Sequence, residues 1–206
     1  MTWLQKLLHF KRNEEGLAFL EFAVCIPFVL ALLLGSIEVT RYILIAEKVE
    51  KTAVTIADIT SQGQTITKAE LDSMITAAAQ VMQPYTFGPN GYVIISSVTQ
   101  TGAYSISNLP VVNWQYVSSG ANGNWVQPSQ VGSVGNHAAL PGGITLNDKD
   151  NVIVSEIFYN YQPIIPTNGV ITGSKIYKVG LYKPRLGALS TLGMLEIFTE
   201  TVLCSS

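Results

Sequence analysis

The chain has 206 residues, of which 48% are hydrophobic and 13% charged, and its formal net charge is −2. Soluble domains average about 25% charged residues, so this composition suits a membrane segment joined to one modest globular domain. It excludes a basic field for nucleic acid, and its two cysteines, Cys25 in an apolar run and Cys204 near the C-terminus, make neither a disulfide framework nor a metal site.

The first element is the run Leu17 to Ile37, in which Glu21 is the only charge. As a helix it reaches roughly 30 Å, the thickness of a hydrocarbon core. Lys6, Lys11 and Arg12 precede it, which predicts a cytoplasmic N-terminus and an exported remainder. A secretory signal would be shorter and would close on a small-x-small cleavage site. A lipoprotein signal would put a small residue before Cys25, where Val24 stands. A plain anchor accounts for the length but not for Glu21, since a charge at mid-bilayer costs about 2.5–3.5 kcal/mol. A cut after Gly16 would resolve this. It would create an α-amine on Leu17, one helical turn from Glu21, and two opposite charges could then neutralise each other within or between subunits.

The leader, the glycine and the stretch "GLAFLEFAVCIPFVLALLLGSIEVTRY" resemble type IV pilin-like precursors, and in particular the TadE-like proteins of the tight-adherence pilus system. Gly16, Glu21, Phe22, Pro27, Gly35, Glu38 and Tyr42 carry the resemblance, while Phe19 and Leu20 are bulkier than the small residues usual there. The resemblance implies cleavage between Gly16 and Leu17 by a membrane prepilin peptidase. It also implies neutralisation of a neighbouring N-terminus by Glu21, beside Phe22, and packing of membrane spans at Pro27 and Gly35. The implied partners are that peptidase, other pilin and pseudopilin subunits, the inner-membrane assembly platform and membrane lipid. The implied location is the bacterial inner membrane, single-pass, with a periplasmic head that could also enter the extracellular pilus.

From Glu38 to Ser61 helical spacing continues through Val39, Tyr42, Val49, Ala53 and Ile56, with Glu47 one turn before Lys51; this predicts a solvated amphipathic stalk, with a helix packed against neighbours in a filament as the alternative. Gln62-Gly63-Gln64 ends it. Thr67 and Glu70 then form a capping box, opening a helix over residues 68–83 with Leu71, Met74, Ile75, Ala78, Val81 and Met82 on one face before Pro84.

Strand character follows over 92–100 and 111–117, and a Gly-, Asn- and Ser-rich stretch over 118–143 reads as loop or as a set of short irregular strands. From Ser73 to Asn147 there is no Asp, Glu, Lys or Arg. Trp114 and Trp125 are expected as core or rim aromatics. "VIVSEIFYNYQPIIP" predicts a central strand over 152–162, with Val152, Val154, Glu156, Phe158 and Asn160 on one face and Ile153, Ser155, Ile157, Tyr159 and Tyr161 on the other. Pro163 and Pro166 stop it. Glu156, Tyr159, Tyr161 and Pro163 again match the TadE-like pattern, and the phenol tips are expected to be wet. Residues 175–183 and 195–203 read as further strands.

The expected fold is therefore α+β: a long transmembrane and stalk helix, then a small exported domain with one helix packed on an antiparallel sheet. The divisions are a leader (1–16), a helix (17–61, spanning at 17–37) and a head (62–206). No catalytic residues, cofactor or metal site are expected, since His9 and His137 stand alone and no nucleophile elbow, phosphate loop or metal-spaced cluster occurs. Two functions fit: a minor pilin or pseudopilin processed for pilus assembly, or a permanently anchored envelope protein whose head binds a partner or surface.

Overall fold

The structure, a computed structural model, describes residues 14–63, 65–100, 109–118, 127–147, 150–164 and 173–185. Most of the leader, Trp125, Pro166, the strand expected over 195–203 and Cys204 lie outside the described residues.

Helix α1 runs unbroken from Glu14 to Ser61, 48 residues, which is about 70 Å. Its first half is apolar all round and exposed: Phe19, Phe22, Phe28 and Leu32 all face outward. Pro27 sits inside without ending the helix, as prolines do in membrane helices where neighbouring groups re-satisfy the backbone. The Ser36 and Thr40 hydroxyls donate back to the carbonyls of Leu33 and Ser36, each at 2.8 Å, so neither requires water.

Beyond residue 44 the helix changes character. Ile45, Val49, Ala53, Ile56 and Ala57 are buried at spacings of three or four, together with Thr52 and Thr60. The solvated stalk is thus corrected: this half of α1 is a core helix of the head. Val39 and Tyr42, expected on the same stripe, are exposed instead. The ion pairs also differ from expectation. Among the described residues Glu47 and Lys51 form none, and the helix is tied to the last strand of the sheet by Glu50–Lys178 at 2.7 Å and to the segment just after that strand by Asp58–Arg185 at 3.1 Å.

Helix α2 spans Lys68–Val81, and its capping box is present: the Thr67 hydroxyl accepts from the Glu70 amide at 3.3 Å while Glu70 accepts from the Thr67 amide at 2.8 Å. That hydrogen bonding holds the Glu70 carboxyl below its usual range. Leu71, Ala78 and Met82 are buried, whereas Val81 is exposed. Lys48 of α1 donates to the carbonyls of Val81 and Gln83 at 3.2 and 2.5 Å, placing a cation where the α2 dipole is negative.

Four strands, β1 (Gly91–Thr99), β2 (Val111–Val117), β3 (Asn151–Tyr161) and β4 (Ser174–Tyr182), pair antiparallel in the order β2-β1-β3-β4. The fold is α+β, and β3 is central, as its apolar residues on both faces predict. Its odd-numbered residues meet the helices in one core with Val93, Ile95 and Trp114. Its even-numbered residues meet the loop over 127–147, where Val131, Ala138, Leu140 and Leu146 cover Val98, Val152 and Val154. The head is three layers: helices, sheet, loop.

One glycine sets the distance between the first two layers. A Cβ on Gly180 would stand 2.5 Å from the carbonyl oxygen of Ala53 and 2.7 Å from the amide nitrogen of Val54. The backbone of β4 therefore lies against the backbone of α1, an approach only glycine allows.

Candidate functional site

Gly16 and Leu17 lie in the first turn of α1, which starts at Glu14. Glu21 and Phe22 follow one turn later, both exposed on the helix surface. Gly35 has open space where a side chain would be, so its face of the helix admits a close neighbour. Ala18 to Leu44 carries no exposed charge except Glu21, because Glu38 is buried and Arg41 half-buried. One helix among the described residues is long and apolar enough to cross a membrane, and none of its apolar window is covered by the rest of the chain.

The second cluster is formed where that helix enters the head. Glu38 is only 3% exposed. Its Oε1 accepts from the Tyr161 hydroxyl and, at 3.3 Å, from the Ile164 amide. Its Oε2 is buried without a partner. Tyr42 meets the Tyr161 ring edge-on at 5.2 Å, and Arg41 stacks over it at 5.9 Å while donating to the Gln162 carbonyl at 3.4 Å. Burial, and then the Glu38 carboxylate, push the Tyr161 phenol up to about 12. The expectation of wet phenol tips is corrected here. Tyr161 is buried and bonded, and Tyr159 is buried in the helix-side core, its phenol also pushed up by burial. Pro163 stands between the two donors to Glu38 and ends β3. The pairing joins residues 123 positions apart, which no local pattern reveals.

The third cluster surrounds Glu156, which is 0% exposed on the loop side of β3. Its carboxylate accepts from the Ser129 hydroxyl, from the Gln130 amide at 2.8 Å and from the Tyr177 hydroxyl at 2.9 Å. Tyr92 adds a further tie: it donates to the Gln127 carbonyl at 2.7 Å and accepts from the Gln127 amide at 2.5 Å. Burial raises the Tyr177 and Tyr92 phenols, and the Glu156 charge adds to both shifts. These bonds hold the uncharged loop on the sheet. Sequence reading found Glu156 but not its partners on that loop.

The chemistry of these clusters is retention and packing. No group of three His, Cys, Asp or Glu among the described residues could hold a metal ion, and His137 is exposed, its backbone forming a bridge with Val111. The deciding observation is a comparison of sequence. Residues 16–58 match the TadE-like protein family. The match covers the apolar helix and the part of it that packs in the head, including Gly16, Glu21, Phe22, Pro27, Gly35 and Glu38, and it stops short of β3. No curated protein and no solved structure matches the chain. The TadE-like segment and the exposed apolar helix together indicate a pilus-related protein with a single-pass membrane anchor.

Proposed function

We propose that this TadE-like chain is a minor pilin or pseudopilin, processed by a prepilin peptidase and taken into assembly of a tight-adherence pilus. The observation that supports it best is the family match over residues 16–58 with Glu21 exposed on the apolar helix. In this reading the leader 1–16 is removed from the cytoplasmic side, and the mature protein comprises the helix from Leu17 and the exported head. Leu17 and Glu21 stand one turn apart on α1. The new α-amine and the carboxylate, within one subunit or between neighbours, each make the other tolerable in lipid. Gly35 and Pro27 give the spans a surface to pack against. The partners are the peptidase, the other pilin subunits, the assembly platform in the inner membrane and lipid.

N-terminal sequencing of protein from sheared pili and from inner membrane tests this directly. Leu17 as first residue in both fractions is expected, and retention of Met1 would favour a permanent anchor. Glu21→Gln separates the two steps. It should insert and be cleaved normally, because the amine does not exist until the bond is cut, yet it should fail to assemble. Normal piliation with the variant incorporated would remove Glu21 from the assembly role.

A further inference from the structure

Pro163 ends β3 at the base of the head, and the backbone just beyond it is held against the membrane helix. The Ile164 amide is bonded to Glu38 at 3.3 Å, so this backbone sits level with the residue directly after Ile37. Ile164 itself is 63% exposed. The helix beside it carries no exposed charge at that level, and its Ser36 and Thr40 hydroxyls are bonded within the helix. Val39, Tyr42, Ile43 and Leu44 are all exposed, whereas Glu38 is buried by Tyr161 and Arg41 is half-buried against it. The first fully exposed charge beyond Glu21 is Glu47.

The exposed apolar band on α1 thus runs from Ala18 to Leu44, roughly 40 Å at 1.5 Å per residue, against about 30 Å of hydrocarbon. Its top, at Leu44, lies roughly 9 Å beyond the level of Glu38 and Ile164. A band of that length reaches through the hydrocarbon into the headgroup layer, and tyrosine and arginine at that height are the residues that settle at such a boundary.

We propose that the underside of the head, Gln162 to Ile164 with Tyr42 beside it, is a lipid-contacting surface, seated on the leaflet that faces the head with the Ile164 side chain among headgroups and upper acyl chains. The occupant is lipid because the surface is continuous with the apolar face of the anchor and because the helix charges at that level, Glu38 and Arg41, are drawn against the head. This rests on α1 spanning the membrane, and the test separates the two claims.

The full chain, with Cys25→Ser and Cys204→Ser, would carry single cysteines as Phe28→Cys, Ile164→Cys or Ile144→Cys, each labelled with an environment-sensitive fluorophore and reconstituted into phosphatidylcholine vesicles. Phe28 is 69% exposed at mid-span; Ile144 is also exposed but neighbours Leu146, which packs with Val98 and Val152 at the far end of the sheet. Lipids brominated high on the acyl chain should lower emission at position 28 and at position 164 and leave position 144 unchanged. Aqueous iodide should quench position 144 alone. If position 28 responds to brominated lipid but position 164 behaves as position 144 does, the seat is wrong and the anchor stands. If position 28 does not respond, the anchor fails and the seat with it. Protection of position 164 from iodide without quenching by lipid, relieved at low protein-to-lipid ratio, would assign the surface to a second copy and overturn the proposal.

Discussion

Replacing Gly180 with alanine adds one methyl group at the point where β4 meets α1. The new Cβ would lie 2.5 Å from the Ala53 carbonyl oxygen, 2.6 Å from its carbon and 2.7 Å from the Val54 nitrogen. Real contacts of this kind begin near 3.4 Å, so α1 and β4 must separate by roughly 1 Å, and no side-chain rotation can relieve it because every atom met is backbone. Separation loosens Ile45, Val49, Ala53 and Ile56, which are buried against that face. Overpacking typically costs about 1–3 kcal/mol, and the absence of a yielding side chain puts this site at the upper end. For a unit of this size the melting temperature should fall by roughly 6–12 °C. Thermal unfolding of the full-length detergent-solubilised chain, followed by circular dichroism, measures it. Gly88→Ala is the control, since nothing lies within 4 Å of its added Cβ, and it should change stability by no more than about 0.5 kcal/mol. A Gly180→Ala melting temperature within about 1 °C of wild type would refute the backbone contact, and with it the placement of α1 in the head.

Tyr161→Phe removes the hydroxyl donor to Glu38 and leaves the buried carboxylate with the Ile164 amide; the expected loss is roughly 1–3 kcal/mol, and adding Glu38→Gln should recover part of it in a double-mutant cycle of urea unfolding. The raised phenols of Tyr161, Tyr159, Tyr92 and Tyr177 bind protons more tightly folded than unfolded. Their contribution is therefore whole below about pH 10 and is lost as pH climbs toward about 12, which a urea midpoint constant from about pH 8 to 11 would contradict. Glu156→Ala strips three donors of their acceptor and should cost about 3 kcal/mol, with limited proteolysis cutting first within residues 127–131.

Where the sequence pattern was local, the structure could be read from it. Val111–Val117 alternates apolar and polar and is a strand over those same residues; Thr67 and Glu70 are three apart and form the capping box; β3 carries apolar residues on both faces and lies between two neighbours. The phase of α1 was less legible. Its first half is apolar on every side, so periodicity there has no preferred face, and the stripe that counts starts only at Ile45. The Glu38–Tyr161 bond and the ties from Glu156 to Ser129 and Gln130 depend on chain closure over long separations. An isolated Glu in a strand looks the same whether its partner is water or a distant loop. The Gly-rich stretch over 118–143 reads as loop or short irregular strands, but the use of residues 127–147 as a third layer comes from the sheet having a second apolar face to cover.

The backbone contact at Gly180, the Glu38–Tyr161 bond and the ion pairs from α1 to Lys178 and Arg185 have a mechanical consequence. They weld the head to the upper half of α1, so the helix acts as the arm of a lever with the head fixed to its end. Ser61 stands roughly 50 Å along the axis from Pro27, and a tilt of about 20°, ordinary for a membrane helix, would sweep that end sideways by roughly 17 Å. Small changes in how the apolar segment leans, whether set by bilayer thickness or by a neighbouring helix, are therefore magnified into large displacements of the head.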